Sequence, residues 1–298
     1  MTEREYLAQQ FEENRGRLRG VAYRMLGSLN EADDAVQEAW LRLNRSDASE
    51  IDNLGGWLTT VVARVCLDML RSRGSRREES LTDQMTEPAA PRQPATNPEQ
   101  EALLADSVGL ALLVVLDRLT PAERLAFVLH DLFAMSFDEI ANVIGKSSAA
   151  ARQLASRARR RVQGAGTAVA ADLSQQRSVV DRFLAALRTG DFEALMNVLD
   201  PDLVVHIDAA ATRPGAPTKI HGAEAWAKGA IAFSVAFAHL ARSTTAALID
   251  GKIGAISAPG GHLVRALNLV IKDGRIAEIE IIGDPARLGE LDLSIFSD

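Results

Sequence analysis

Apolar residues recur at helical spacing through the first half of the chain and change to strand spacing toward its end. In NEADDAVQEAWLRL, Ala32, Ala35, Val36, Ala39 and Leu43 fall at i, i+3, i+4, i+7 intervals, while Asp33, Asp34, Gln37 and Glu38 take the other side. GWLTTVVARVCLDMLRSR places Leu58, Val61, Val62, Val65 and Met69 on one stripe. It ends in Arg71, Arg73, Arg76 and Arg77, charges that a helix C-terminus favours. The first block, about 1–78, is therefore expected to be all helix, with Trp57 in its core.

The second block, about 101–163, carries explicit helix punctuation. Thr120-Pro121-Ala122-Glu123 and Ser136-Phe137-Asp138-Glu139 each read as a capping box, the first with proline at the opening helical position. A short helix, DEIANVIG, stops at Gly145, and Ser147 caps the next one. Helix, tight glycine turn and second helix outline a helix-turn-helix.

The third block, about 172–298, opens with two helical patterns, SVVDRFLAALRTG and FEALMNVLD. The runs LVVHI (203–207), TTAALI (244–249), LVRALNLVI (263–271) and IAEIEII follow, the last after a Lys272-Asp273-Gly274 turn. This order predicts an α+β domain. Two joints separate the blocks: proline-rich LTDQMTEPAAPRQPATNPEQ at 81–100 and small-residue VQGAGTAVA at 162–170.

Charge changes this picture most. The 298 residues carry a net −7, yet 140–171 holds no acid and six bases, Lys146, Arg152, Arg157, Arg159, Arg160 and Arg161. Residues 167–298 hold 12 bases and 16 acids, net −4. A local basic patch on an acidic chain points to a polyanion. In the helix that carries it, Ala151, Leu154, Ala155, Ala158 and Val162 form a narrow packing stripe, so Arg152, Gln153, Ser156, Arg157 and Arg160 point away. The second helix of such a motif lies in the major groove. There arginine pairs bidentately with guanine and glutamine with adenine, and further arginines hold phosphate. The competing reading is a solvated surface helix.

Cys66 stands alone, which excludes an intramolecular disulfide and a cysteine-based zinc site. The polar N-terminus is no secretory signal, and no apolar run approaches the ~20 residues of a membrane helix. A cytoplasmic protein is expected, with no cofactor and no metal.

On these residues the chain resembles the extracytoplasmic-function (ECF) sigma factors of bacterial RNA polymerase. Ala32 to Leu43, ADDAVQEAWLRL, is similar to their region 2. Leu119 to Arg124, Ser136 to Ala141 and Arg152 to Arg160 are similar to region 4. The linker is too short for the middle region of housekeeping sigma factors. The resemblance implies a multidomain fold: region 2 as a helical bundle (1–80), a linker (81–104), and region 4 with its helix-turn-helix (105–165). An α+β cone domain (172–298) follows.

It implies partners as well. The β′ clamp helices of core polymerase would meet Asp33, Asp34, Gln37, Glu38, Trp40 and Leu41, and the β flap would meet region 4. Arg64, Asp68, Arg71, Arg73, Arg76 and Arg77 would face −10 DNA. Ser147, Ser148, Arg152, Gln153, Ser156, Arg157 and Arg160 would face −35 DNA. Arg64 is followed by Val65 and Cys66, where family members often carry an asparagine, so base preference at −10 does not transfer.

The last block resembles the SnoaL-like, polyketide-cyclase branch of the NTF2-like fold through Phe183–Leu187, Gly190-Asp191, Leu199–Leu203 and Asp273–Ile276. Sigma factors so extended are thought to be modulated in cis. Asp208-Ala209-Ala210-Ala211-Thr212 stands where the best-known group has Asp-Gly-Gly-Gly-Lys, and Thr86-Glu87-Pro88 alone resembles that group's linker motif. Candidate pocket residues for a small-molecule ligand are His206, Asp208, His221, Trp226, His262 and Asn268, with His239 near them. A His–Asp pair suits acid–base chemistry, but histidines in such cones are more often structural. A cyclase-like enzyme on a DNA-binding module and a ligand-sensing repressor or activator are the alternatives. Neither has a use for an acidic clamp-binding helix ahead of the helix-turn-helix, so a sigma factor without enzymatic activity is expected.

Overall fold

A computed structural model describes residues 3–46, 51–83, 109–163, 170–212 and 215–296, and in the second stretch the described side chains end at 73. Contacts divide the chain into two compact units, Met1–Glu101 with Leu116–Arg159, and Ala102–Val115 with Arg160–Asp298. This division cuts across the sequence blocks. Residues 109–115 belong to the second block in sequence but group with the C-terminal unit.

The helices before the sheet are α1 (Glu3–Leu26), α2 (Leu29–Leu43), α3 (Leu54–Asp83), α4 (Leu110–Asp117), α5 (Pro121–Phe127), α6 (Phe137–Ile144) and α7 (Ser148–Gln163). A π-helical turn, Val128–Leu132, follows α5. Helix α4, LALLVVLD, is apolar up to its last residue, and Ala111 and Leu113 to Leu116 are buried while Asp117 is exposed. The α2 stripe is buried at all five expected positions, and Ser28 caps the helix. In α3, Leu58, Val61, Val62 and Val65 are buried and Met69 is half-buried. Trp57, expected in the core, is half-exposed: at the first turn of α3 its ring lies at the end of the packed stripe. Cys66 is buried, and that burial pushes its thiol up to about 12, so it is not a nucleophile at neutral pH.

The C-terminal unit begins with α8 (Ala170–Thr189) and α9 (Phe192–Val198), the latter capped by Asp191 on the Ala194 N–H at 2.9 Å. The remaining elements are β1 (Leu199–Ile207), β2 (Lys219–His221), α10 (Ala223–Ala236), α11 (Ala238–Arg242), β3 (Thr244–Ile249), β4 (Lys252–Ser257), β5 (Arg265–Lys272), β6 (Arg275–Ile282), α12 (Pro285–Glu290) and β7 (Leu293–Ser294). The seven strands form one mixed sheet, ordered β2-β1-β6-β5-β4-β3-β7, in which only β1 and β6 run parallel. Asp273 and Gly274 both take positive φ, 51° and 75°, which closes the β5–β6 hairpin with the twist its strands need.

One sheet face packs on the helices. Val205, Leu267, Leu269, Ile279 and Ile281 meet Val180, Phe183 and Leu184 of α8, and Trp226 of α10 stacks on Phe183 at 5.8 Å. At Gly254 in β4 a Cβ would stand 2.5 Å from the Leu267 carbonyl oxygen and 2.7 Å from Ile249 Cδ1. Backbone cannot yield as a side-chain tip can. Gly254→Ala is expected to destabilise the C-terminal unit by about 1–3 kcal/mol, read as a lowered urea midpoint.

Candidate nucleic-acid and protein interfaces

The helix-turn-helix forms by the chemistry its sequence announces. Thr120 Oγ1 accepts from the Glu123 N–H while Glu123 accepts back from the Thr120 N–H, and Ser136 and Glu139 repeat the exchange. Gly145 ends α6 at φ 67°, in the left-handed region. Ser147 then accepts from the Ala150 N–H at 3.2 Å and opens α7.

Helix α7 seats on its alanines. Ala151, Ala155, Ala158 and Val162 are buried, Leu154 is half-buried, and Arg152, Gln153, Ser156, Arg157 and Arg160 are exposed along the other side. Arg152 lies over the Phe137 ring at 5.5 Å, which pre-orients its guanidinium. Ser147 is exposed, whereas Ser148 is tied to Asp138. Arg159 differs from its neighbours. It holds Asp131 through Nε and a terminal nitrogen at 2.8 and 2.5 Å, so it serves the fold.

On α2, Asp34, Gln37 and Leu41 are exposed, Leu41 at 40%. Asp33 pairs with Arg19 at 2.7 Å and Glu38 with Arg42 at 2.9 Å. Trp40 is half-exposed, with its ring 4.9 Å from Phe11. The result is an apolar pair, Trp40 and Leu41, rimmed by acids already held in place.

The α3 candidates do not form one open surface. Arg64 donates to the Asn142 carbonyl of α6 at 3.1 Å. Arg73 donates to the Leu26 carbonyl and pairs with Glu31. Asp68 and Arg71 are exposed, 3.9 Å apart. The side chains of Arg76 and Arg77, and most of the 81–104 linker, lie outside the described residues. Sequence reasoning missed the residue that joins the two halves of this unit. Arg124, 3% exposed, donates to the carbonyls of Leu116 at 2.6 Å and Met25 at 2.8 Å, and pairs with Asp117 at 2.9 Å. Burial depresses its pKa, and the Asp117 charge acts against that. An arginine inside a capping-box helix was the available signal.

The expected pocket residues converge only in part. Trp226 is buried in the core, and His221, His239 and His262 are exposed. His206 and Asn268 both register with Glu280, on the sheet face opposite the helices. Asn268 donates to Glu280 at 3.0 Å, and Arg287 links Glu280 at 2.5 Å to Asp208 at 3.5 Å. The Arg287 hydrogen bond holds the Glu280 carboxyl below the usual range against partial burial. At Asp208, desolvation pushes upward, but the N–H groups of Asp284, Ala210 and Gly283 and the Arg287 charge outweigh it and keep that carboxyl low.

Both carboxyls are thus more acidic folded than unfolded. Their contribution is complete above about pH 4–5, where the unfolded groups are ionised, and is lost as pH falls through the lowered values. The urea midpoint of the C-terminal unit should therefore fall between pH 6 and 3, and less steeply in Arg287→Gln. No helix of the described residues is long and apolar enough to cross a membrane.

Comparison with known proteins places this geometry. The sigma-70 region 2 family matches residues 10–76 and the sigma-70 region 4 family residues 109–162. The ECF RNA polymerase sigma factor SigJ of Mycobacterium tuberculosis is 37% identical over 285 residues, 93% of this chain and 91% of the relative. A crystal structure of the Mycobacterium tuberculosis sigma factor SigJ is similar over 95% of this chain and 98% of its own, at 32% identity and a TM-score of 0.45. A polyketide cyclase structure from Sinorhizobium meliloti is similar over 39% of this chain and all of its own, at 26% identity and a TM-score of 0.27. With both conserved sigma regions present and a relative matching along almost its full length, the chain belongs to the ECF sigma factors, non-enzymatic subunits that direct RNA polymerase to promoters.

Proposed function

We propose that α7 reads the −35 element through Arg152 and Gln153, with Ser147, Ser156, Arg157 and Arg160 on the phosphates and flanking bases. The exposed row on a capped, alanine-seated helix carries this reading. Ser148, held by Asp138, orients the turn. On α2, Trp40 and Leu41 anchor the β′ clamp helices and Asp33, Asp34, Gln37 and Glu38 set register. Region 4 meets the β flap. Arg64, Asp68, Arg71, Arg73, Arg76 and Arg77 engage −10 DNA. The division into region 2 (1–80), linker (81–104), region 4 (105–165) and C-terminal domain (172–298) suits the matched spans 10–76 and 109–162. The protein acts where polymerase acts, in the cytoplasm.

Packing supports a further step in this reading. The two promoter elements lie roughly 25 base pairs, about 85 Å, apart. A compact body the size of the first unit spans roughly 40 Å. Regions 2 and 4, joined through Arg124 and Arg64, therefore separate on the promoter, which frees Arg64 for DNA. The C-terminal domain modulates this transition in cis and takes a small ligand as its input.

The test is affinity for core polymerase. Leu41→Asp should weaken binding about 30-fold, as loss of a central anchor does, without lowering the melting temperature of a side chain already 40% exposed. Unchanged affinity would remove α2 from the interface.

A further inference from the structure

We propose that the C-terminal unit binds a small organic anion with an apolar body, an aromatic or branched carboxylate, its head group on the remaining N–H donors of Arg265 and its body against the Phe233–Phe237 ring pair. The proposal rests on the reading that this domain takes a small ligand, and names the ligand's class and its seat.

Arg265 opens β5 on the same sheet face as Leu267 and Leu269, which points its side chain toward the helices. Its guanidinium lies 4.6 Å from the centroid of Phe233 in α10, and one terminal nitrogen donates to the Ala211 carbonyl at 3.1 Å. The residue is half-buried, and no carboxylate among the described residues pairs with it. The contrast with Arg124 and Arg287 is direct, since those two hold Asp117 and Glu280. Desolvation alone depresses the Arg265 pKa. A cation removed from water without an opposite charge is costly, and an anion relieves that cost.

The surroundings set the rest of the ligand. Phe233 and Phe237, one turn apart at the end of α10, have ring centroids 4.6 Å apart, and both are half-exposed. A half-exposed pair of aromatic rings beside a half-buried cation offers an apolar wall and a charged end to one ligand. A guanidinium has five N–H donors in one plane, and Ala211 takes one. A carboxylate or sulfonate can accept two more side by side. Arg265 stands at the start of β5 and is half-buried, which suits a small head group.

The experiment uses the full chain and two fluorescent probes that differ by one charge: 1-anilinonaphthalene-8-sulfonate and neutral N-phenyl-1-naphthylamine. The wild type should bind the sulfonate more tightly, and 1-naphthoate should displace it. Arg265→Gln should weaken the sulfonate about tenfold or more, the usual effect of losing charge-assisted hydrogen bonds, and leave the neutral probe unchanged. Phe233→Ala should weaken both. Arg265→Lys keeps the charge but loses the planar fork, and should fall between; it carries the test if the glutamine variant does not fold by circular dichroism. Equal binding of both probes to the wild type, or sulfonate affinity unchanged in either Arg265 variant, would overturn the proposal. Failure of regulation would show separately, in transcription, since this assay contains no polymerase.

Discussion

Arg124→Met should destabilise the first unit by about 3 kcal/mol, the scale of stranding a buried hydrogen-bonded network. Methionine fills much of the volume, so the loss is polar. Leu116 keeps the Leu119 N–H as a donor to its carbonyl, but Met25, at the end of α1, loses the guanidinium donor. Asp117, whose side chain is 48% exposed, returns to water at little cost. The expected result is a lowered urea midpoint and earlier loss of the α1-to-α5 connection than of α7 in hydrogen exchange. Arg124→Lys should rescue little, because one ammonium cannot reach two carbonyls and a carboxylate at once. A midpoint within error of wild type would mean that the fork is not what joins regions 2 and 4.

Arg152→Ala with Arg157→Ala should reduce affinity for a selected −35 element about 30-fold or more, taking each specific contact at roughly 1–3 kcal/mol. Core polymerase binding should stay at the wild-type level, since neither residue is on α2. The two substitutions should also differ from each other. Loss of a base contact relaxes sequence preference at one position, and loss of a phosphate contact lowers the salt slope by about one. Arg159→Ala is the control within the same helix. It breaks the Asp131 pair and should lower stability without changing sequence preference. Promoter affinity measured by fluorescence anisotropy of the holoenzyme separates these outcomes.

Much of this was legible in the chain because local chemistry wrote it. The two capping boxes, the Gly145 stop and the Ser147 cap are interactions within four residues, and the structure makes each of them. The α2 and α7 stripes are likewise local patterns. What escaped was set by the tertiary environment. Strand β4, KIGAIS, is buried at five of six positions and so shows no alternation. Helix α10, AEAWAKGAIAFSVA, lacks the polar–apolar contrast that marks a helix face. Of the residues grouped as a pocket, His206, His221 and Asn268 share a sheet face, but it is the one away from the helices, whereas Trp226 is in the core, because strand register across β2, β1, β6 and β5 is not a sequence-local quantity. Arg265 went unmarked for a related reason: an arginine's missing acid is visible only when its neighbours are known.

The account stands most directly on run-off transcription by core RNA polymerase from a selected promoter, comparing the full chain with its Leu41→Asp and Arg152→Ala/Arg157→Ala variants. The account predicts a defined transcript with the wild type. It predicts loss with the first variant at the core-binding step, and loss with the second after core binding. A wild-type chain that binds core but initiates equally well with both variants would contradict the placement of the two interfaces on α2 and α7.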